Sequence, residues 1–249
     1  MLSPNQIEVI KEQAYTGVPS LLPNVCKVQP LSMYEIIEMG TNNYNALLGI
    51  LLLTETDIAK NIKEKTKKEP KIEDIYPLTY LLQSAEKDDM FLLELQLAFS
   101  TFIKEEILLL PKINSVLVGP PQQKRLITND NFLDFQDILR IQNRKKIKEP
   151  PPENESAIAR KFRLKAELRD AVKKKQKEKN GEERSLVDTL SVAETFGIDF
   201  RNKTLYAFYE LIRRHEAKEK WNQDIQMLCA GADSKKLKTK YWGESLDKE

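Results

Sequence analysis

Few residues of this chain could carry covalent or metal chemistry, and their spacing decides how much of it is open. The one histidine, His215, sits between Arg214 and Glu216 on a helical pattern, so any Ser-His or Cys-His nucleophile pair would have to be built on it. At that boundary position it reads as a solvated helix residue. Cys26 and Cys229 are isolated, with neither a CxxC nor the ligand spacing of a tetrahedral zinc site. That usage suits a reducing cytosol and rules out a disulfide framework. The carboxylate pairs Asp88-Asp89, Glu105-Glu106 and Glu182-Glu183 are sequence neighbours. Neighbours on a helix point about 100° apart and do not converge on one reacting atom. Glu216-x-Lys218 has the residue types of a metal nuclease but falls within a helical pattern, where adjoining strands would be needed. The eight glycines include no GxGxxG and no P-loop. The residues therefore point away from an enzyme and imply no catalytic residue, no metal and no cofactor.

What stands out instead is aromatic. Between Thr204 and Asp247 lie both tryptophans, the histidine, three of the eight tyrosines and Cys229. Leu205, Phe208, Tyr209 and Ile212 share one helix face, and Trp221, Ile225 and Leu228 continue the apolar pattern one step round. Gly231 is placed to end that helix, and a shorter turn carries Leu237, Tyr241 and Trp242 to Gly243. Phe208, Tyr209, Trp221, Tyr241 and Trp242 are the candidate partner-binding residues. Tyr241 and Trp242 either fold back on the helix or are covered by a partner.

The charged fraction of 31% cancels to a net +2, so a basic signal must be local. It is found from Arg160 to Lys179, with ten basic against three acidic residues and a local net of +7. Lys and Arg clusters neutralise phosphates, but only Phe162 could stack a base there, and a solvated helix is the favoured reading. Nucleic acid is therefore not the expected partner. The N-terminus lacks the basic start and apolar run of a secretion signal, so export is not expected. The most apolar window, Met90 to Leu110, is interrupted by Glu94, Lys104, Glu105 and Glu106 and reads as a core helix, not a membrane span.

The elements that would position these residues are mainly helical. Residues 1–25 read as an arm or a loosely docked first helix, broken at Gly17, Pro19 and Pro23. A helical N-terminal domain is expected over 26–148. Ser32 and Glu35 form a capping box ahead of a short helix to Met39, and Tyr44, Leu47, Leu48, Leu51 and Leu52 make the stripe of the next. Thr56 to Lys71 reads as a solvated helix end and loop, and Pro77-Leu78-Thr79 precedes the apolar run Tyr80-Leu81-Leu82. The longest helix should start at Asp88 or Asp89 and run through Phe91, Leu92, Leu95, Phe99, Phe102, Ile103 and Ile107 to Pro111. Two short strands, Ser115–Val118 and Lys124–Thr128, flank Gly119-Pro120-Pro121, and a helix with Phe132, Phe135, Ile138 and Leu139 inward follows. Pro150-Pro151-Pro152 marks a spacer, giving a proline-rich and basic linker over 149–184. Ser185 with Asp188 opens a C-terminal helical domain over 185–249. The expected fold is thus mainly α with a small two-stranded β element, as two helical domains joined by a Pro/Lys-rich linker.

Two stretches together resemble the tail assembly chaperones of long-tailed bacteriophages. One is Val28-Gln29-Pro30-Leu31-Ser32-Met33-Tyr34-Glu35-Ile36-Ile37-Glu38-Met39-Gly40 with Tyr44, joined by Leu126-Ile127-Thr128-Asn129-Asp130-Asn131-Phe132 and Arg140-Ile141-Gln142-Asn143. The other is Thr204-Leu205-Tyr206-Ala207-Phe208-Tyr209-Glu210-Leu211 with Leu228-Cys229-Ala230-Gly231-Ala232-Asp233 and Tyr241-Trp242. Where the family often has a histidine before the terminal tryptophan, this chain has Tyr241. The chain resembles the long form, in which a programmed frameshift often adds a C-terminal part to a domain also made alone. The resemblance implies a non-enzymatic role in the cytoplasm of an infected bacterial host. Such chaperones coat the tape-measure protein and recruit tail-tube subunits around it. It further implies that the N-terminal domain contacts the tape measure or self-associates, while Tyr241 and Trp242 recruit tube subunits. Two readings from other classes remain: a nucleic-acid-binding protein using residues 160–179, and a permanent baseplate or connector subunit of the virion.

Overall fold

The computed structural model describes residues 2–67, 75–123, 125–147, 156, 162, 169, 185–232 and 241–243. The proline spacer at 150–152 and nearly all of the basic segment 160–179 lie outside the described residues. Among the described residues the chain is mainly helical, with one two-stranded and one three-stranded antiparallel sheet. It divides into two compact units: Met1–Lys146 with Asp199–Glu249, and Ile147–Ile198.

The first unit opens with α1, Pro4–Thr16, started by a Ser3/Gln6 capping box with proline in its first turn and stopped by Gly17 in the left-handed region. Ile10 and Ala14 are buried and α1 packs on later helices. Residues 1–25, expected as an arm or a loosely docked first helix, thus hold a helix docked through Ile10 and Ala14. A hairpin missed in the sequence follows: β1, Ser20–Leu22, pairs with β2, Cys26–Val28, across a turn in which Asn24 takes a positive φ. Then come α2, Met33–Met39, and α3, Thr41–Leu51, with Tyr44, Leu47, Leu48 and Leu51 buried as the stripe requires. Helix α4, Glu55–Thr66, starts at a Thr54/Asp57 capping box and buries Ile58. Helix α5, Pro77–Ala85, turns Leu78, Leu81, Leu82 and Ala85 inward.

Helix α6 spans Asp89–Phe102 and is shorter than expected. Ile103 is extended at φ −115°, ψ 105°, and Ile107–Leu110 form β3 instead of a last helical turn. An apolar run fits either period over so short a length, and pairing with β4, Ser115–Val118, decides it. The expected pair, β4 and β5 (Arg125–Ile127), is present with Val116 opposite Ile127, so the sheet has three strands in the order β3-β4-β5. Gly119 turns this sheet at φ +73°, and an added Cβ would stand 2.1 Å from the Arg125 guanidinium, which forks onto Glu105 at 3.3 and 2.7 Å. Only glycine leaves room for that fork.

Helix α7, Asn129–Gln142, runs through the middle of the unit and is buried from Phe135 to Gln142. Its apolar side stacks Phe135 on Phe99 at 5.7 Å and on Phe132 at 5.9 Å. Its polar side completes other elements. Gln136 donates to the carbonyls of Leu51 and Leu53 at 2.8 and 3.1 Å, satisfying the end of α3. Gln142 donates to Val28 O and Ser20 Oγ at 3.0 and 3.2 Å, and Asn143 accepts from the Tyr44 hydroxyl. Arg140 pairs with Asp137 at 2.8 Å in a nearly closed setting. Burial raises the Asp137 carboxyl above its ordinary range against the opposing pull of Arg140.

The second unit contributes α8, Leu186–Thr195, with the expected Ser185/Asp188 capping box and Thr189 and Ala193 buried. The last helix, α9, Leu205–Cys229, belongs to the first unit. The separate C-terminal domain expected from residue 185 is therefore not the grouping observed: residues from Asp199 onward are counted with the N-terminal body.

Replacing Gln136 by leucine keeps the volume but removes the donor to the buried Leu51 carbonyl and the half-buried Leu53 carbonyl, a loss of about 1–3 kcal/mol. Urea unfolding should show that drop, with an unchanged m-value.

Candidate protein-binding face of the last helix

The approach to α9 is fixed by main-chain pairing. Residues 201–205 run antiparallel to Leu31–Tyr34, with Met33 N–H to Lys203 O at 2.7 Å, Tyr34 N–H to Arg201 O at 3.2 Å and Leu205 N–H to Leu31 O at 3.3 Å. Thr204 caps α9 by accepting from Ala207 N–H, and its hydroxyl donates to Ala14 O at the end of α1. Ala207, Phe208 and Ile212 are buried in the first two turns. Phe208 is fully enclosed, edge-on to Phe200 at 5.9 Å and to Tyr209 at 5.4 Å. Glu210 pairs with Arg144 at 2.8 Å and Arg213 at 3.0 Å, and the Arg144 guanidinium lies over the Tyr206 ring.

Beyond Ile212 the helix emerges. Trp221 is half-buried and meets Tyr241 edge-on at 5.7 Å, and Tyr241 in turn tilts against Trp242 at 5.7 Å. Arg214 donates to the Trp242 carbonyl at 2.8 Å, and the Lys218 ammonium stands 5.9 Å over the indole. Tyr241 and Trp242 thus fold back on the helix. They remain accessible there, with Tyr241 51% exposed and Ile225 and Met227 further along also exposed.

The five aromatic candidates divide accordingly. Phe208 is core, and Tyr209 is half-buried beside it with its hydroxyl held protonated by burial against Arg144. Trp221, Tyr241 and Trp242 form one surface cluster. The sequence reading did not find Arg214 and Lys218, which hold that cluster; their i and i+4 spacing on the helix was the available signal.

Elsewhere, His215 is half-buried on α9, and Glu216 and Lys218 follow it on the same helix. Among the described residues no group of three His, Cys, Asp or Glu is placed to hold a metal ion, and no helix is long and apolar enough to cross a membrane. A cleft of about 540 Å³ opens beside the β1–β2 hairpin, lined in part by Cys26, Lys104, Glu105 and Arg125. Two of its cations are engaged, Arg125 by Glu105 and Lys104 by Glu35 at 3.4 Å. Burial and then Glu105 push the Cys26 thiol up to about 12 against Arg125, so it stays protonated and unreactive. Comparison with family models, with curated proteins and with solved structures finds no match for the chain.

Two outcomes follow from these environments. In the native protein a thiol reagent should modify the exposed Cys229 and spare Cys26, whose modification appears only on unfolding; mass spectrometry with and without denaturant reads both. The second concerns the cap of α2, whose first amides meet Arg201 and Lys203. Burial raises the Glu35 carboxyl, but hydrogen bonds from the Ser32 amide and hydroxyl, with Lys104 beside it, outweigh burial and hold it below its usual value. Its stabilisation is present above the unfolded carboxylate value near 4.3 and is lost as pH falls through the lower folded value. Melting curves of Glu35→Gln and the parent should therefore converge as pH drops below about 4.

Proposed function

We propose that this chain is a non-enzymatic tail assembly chaperone of a long-tailed bacteriophage, binding the tape-measure protein and recruiting tail-tube subunits in the cytoplasm of the infected host. The observation that carries the reading is the Trp221, Tyr241 and Trp242 cluster, held on the outer half of α9 by Arg214 and Lys218. Tryptophan, tyrosine and arginine anchor protein interfaces because they offer large, stiff contact area with a polar edge. A cluster already in place loses little side-chain freedom when a partner covers it. The resemblance in the sequence supplies the identity of the partners.

In this reading the body formed by α1 to α7 engages the tape measure or further copies of the chain, and the emergent half of α9 meets the tube subunit. Joining both surfaces in one chain raises the effective concentration of tube subunits along the tape measure once the first contact is made. Trp242→Ala removes the indole without touching Phe208 or the Thr204 cap. Co-purification with tube protein should fall about tenfold or more while the far-ultraviolet spectrum and melting temperature are kept. Undiminished recovery of tube protein would remove the cluster from this role.

A further inference from the structure

We propose that the outer face of α6 is a docking surface for a basic amphipathic helix of another polypeptide. Helix α6 is apolar on two sides. Leu95, Ala98, Phe99 and Phe102 are buried on one. On the other, Met90, Leu93 and Leu97 are 69%, 61% and 56% exposed. At 100° per residue these three fall within an arc of about 60° and extend over about 10 Å, close to opposite the buried set. Single exposed apolar side chains are ordinary, but three on one stripe of a well-packed helix form a continuous seam of the kind a second helix covers.

The charges around the seam state what that second helix should be. Between Asp89 and Phe102 the only charged residues are Asp89 and Glu94, one on each side of the stripe, and the exposed Asp88 caps the same end. No lysine or arginine lies on α6. A helix with apolar residues at i, i+3 and i+7 between flanking cations would cover the leucines and bring opposite charge to both acidic edges. A second copy of α6 would set carboxylates against carboxylates, which disfavours self-pairing through this face. An anionic lipid surface is disfavoured for the same reason. The surface lies on a different element from the α9 aromatic cluster and does not depend on the tail-assembly reading.

The test uses the full chain and two synthetic helices of roughly 18 residues, with the same leucine stripe and either lysines or glutamates flanking it. Fluorescence anisotropy should show the lysine helix binding at least about tenfold more tightly than the glutamate helix. The exposed pair L93Q/L97Q should lower lysine-helix binding by about tenfold or more, with the parent's melting temperature retained. E94K should weaken the lysine helix and strengthen the glutamate helix, a reciprocal shift that general hydrophobic adhesion would not produce. Equal binding of the two helices, indifference to both variants, or concentration-dependent self-association of the parent that L93Q/L97Q abolishes would overturn the proposal.

Discussion

Helix α3 ends inside the protein, and the carbonyl of its last residue, Leu51, with that of Leu53 just beyond, accepts from the Gln136 amide. Any helix leaves carbonyls unpaired at its C-terminus, and an exposed one leaves them to solvent. Here the end is covered, so a side chain must supply the donor. Gln142 does the same for the β2 carbonyl of Val28, 114 residues away along the chain. Both glutamines stand on α7, so the placement of α3 and of the first hairpin is tied to one helix. The stacked rings of Phe99, Phe132 and Phe135 bind α7 to α6 on its other side. Apolar packing brings these layers together, and the amides set their register, because an unpaired buried carbonyl costs more than a made hydrogen bond contributes.

The C-terminal helix is attached by the same means. Its approach strand takes the amides of Met33 and Tyr34, its cap hydroxyl takes the carbonyl of Ala14, and Glu210 holds Arg144 just past the end of α7. Three separate elements of the body thus each present a backbone or charged group to residues 201–210. The grip is local to the first turns of α9. The outer half is free of it and carries the aromatic cluster, so one helix serves as anchor at one end and as presented surface at the other.

Much of this order was legible in the sequence where a residue acts on its own neighbours. The caps at Ser32 and Ser185, the stripe from Tyr44 to Leu51 and the inward phenylalanines of α7 all follow from spacing within one element. What escaped depends on distant partners. Residues 20–28 carry no alternation long enough to announce a hairpin, and Ile107–Leu110 keep helical spacing until β4 claims them. Residues 201–205 pair with Leu31–Tyr34 about two thirds of the chain away, which no local pattern reports. The aromatic group was visible as a composition, but its division into a buried Phe208 and an accessible Tyr241 was set by where α9 leaves the body.

Helix α6 differs from α7 in the face it turns outward. Helix α7 is enclosed along most of its length, and the amides of Gln136 and Gln142 and the Arg140 guanidinium on its polar side donate to partners there. Helix α6 has no such cover over Met90, Leu93 and Leu97, yet its outer stripe is apolar where solvent would favour charge. Folding alone does not require those side chains, since lysine or glutamine would serve an exposed helix position as well. A helix whose buried face already supplies its packing and whose outer face is still apolar has a second set of contacts to make, and the acids beside it narrow the chemistry of what can make them.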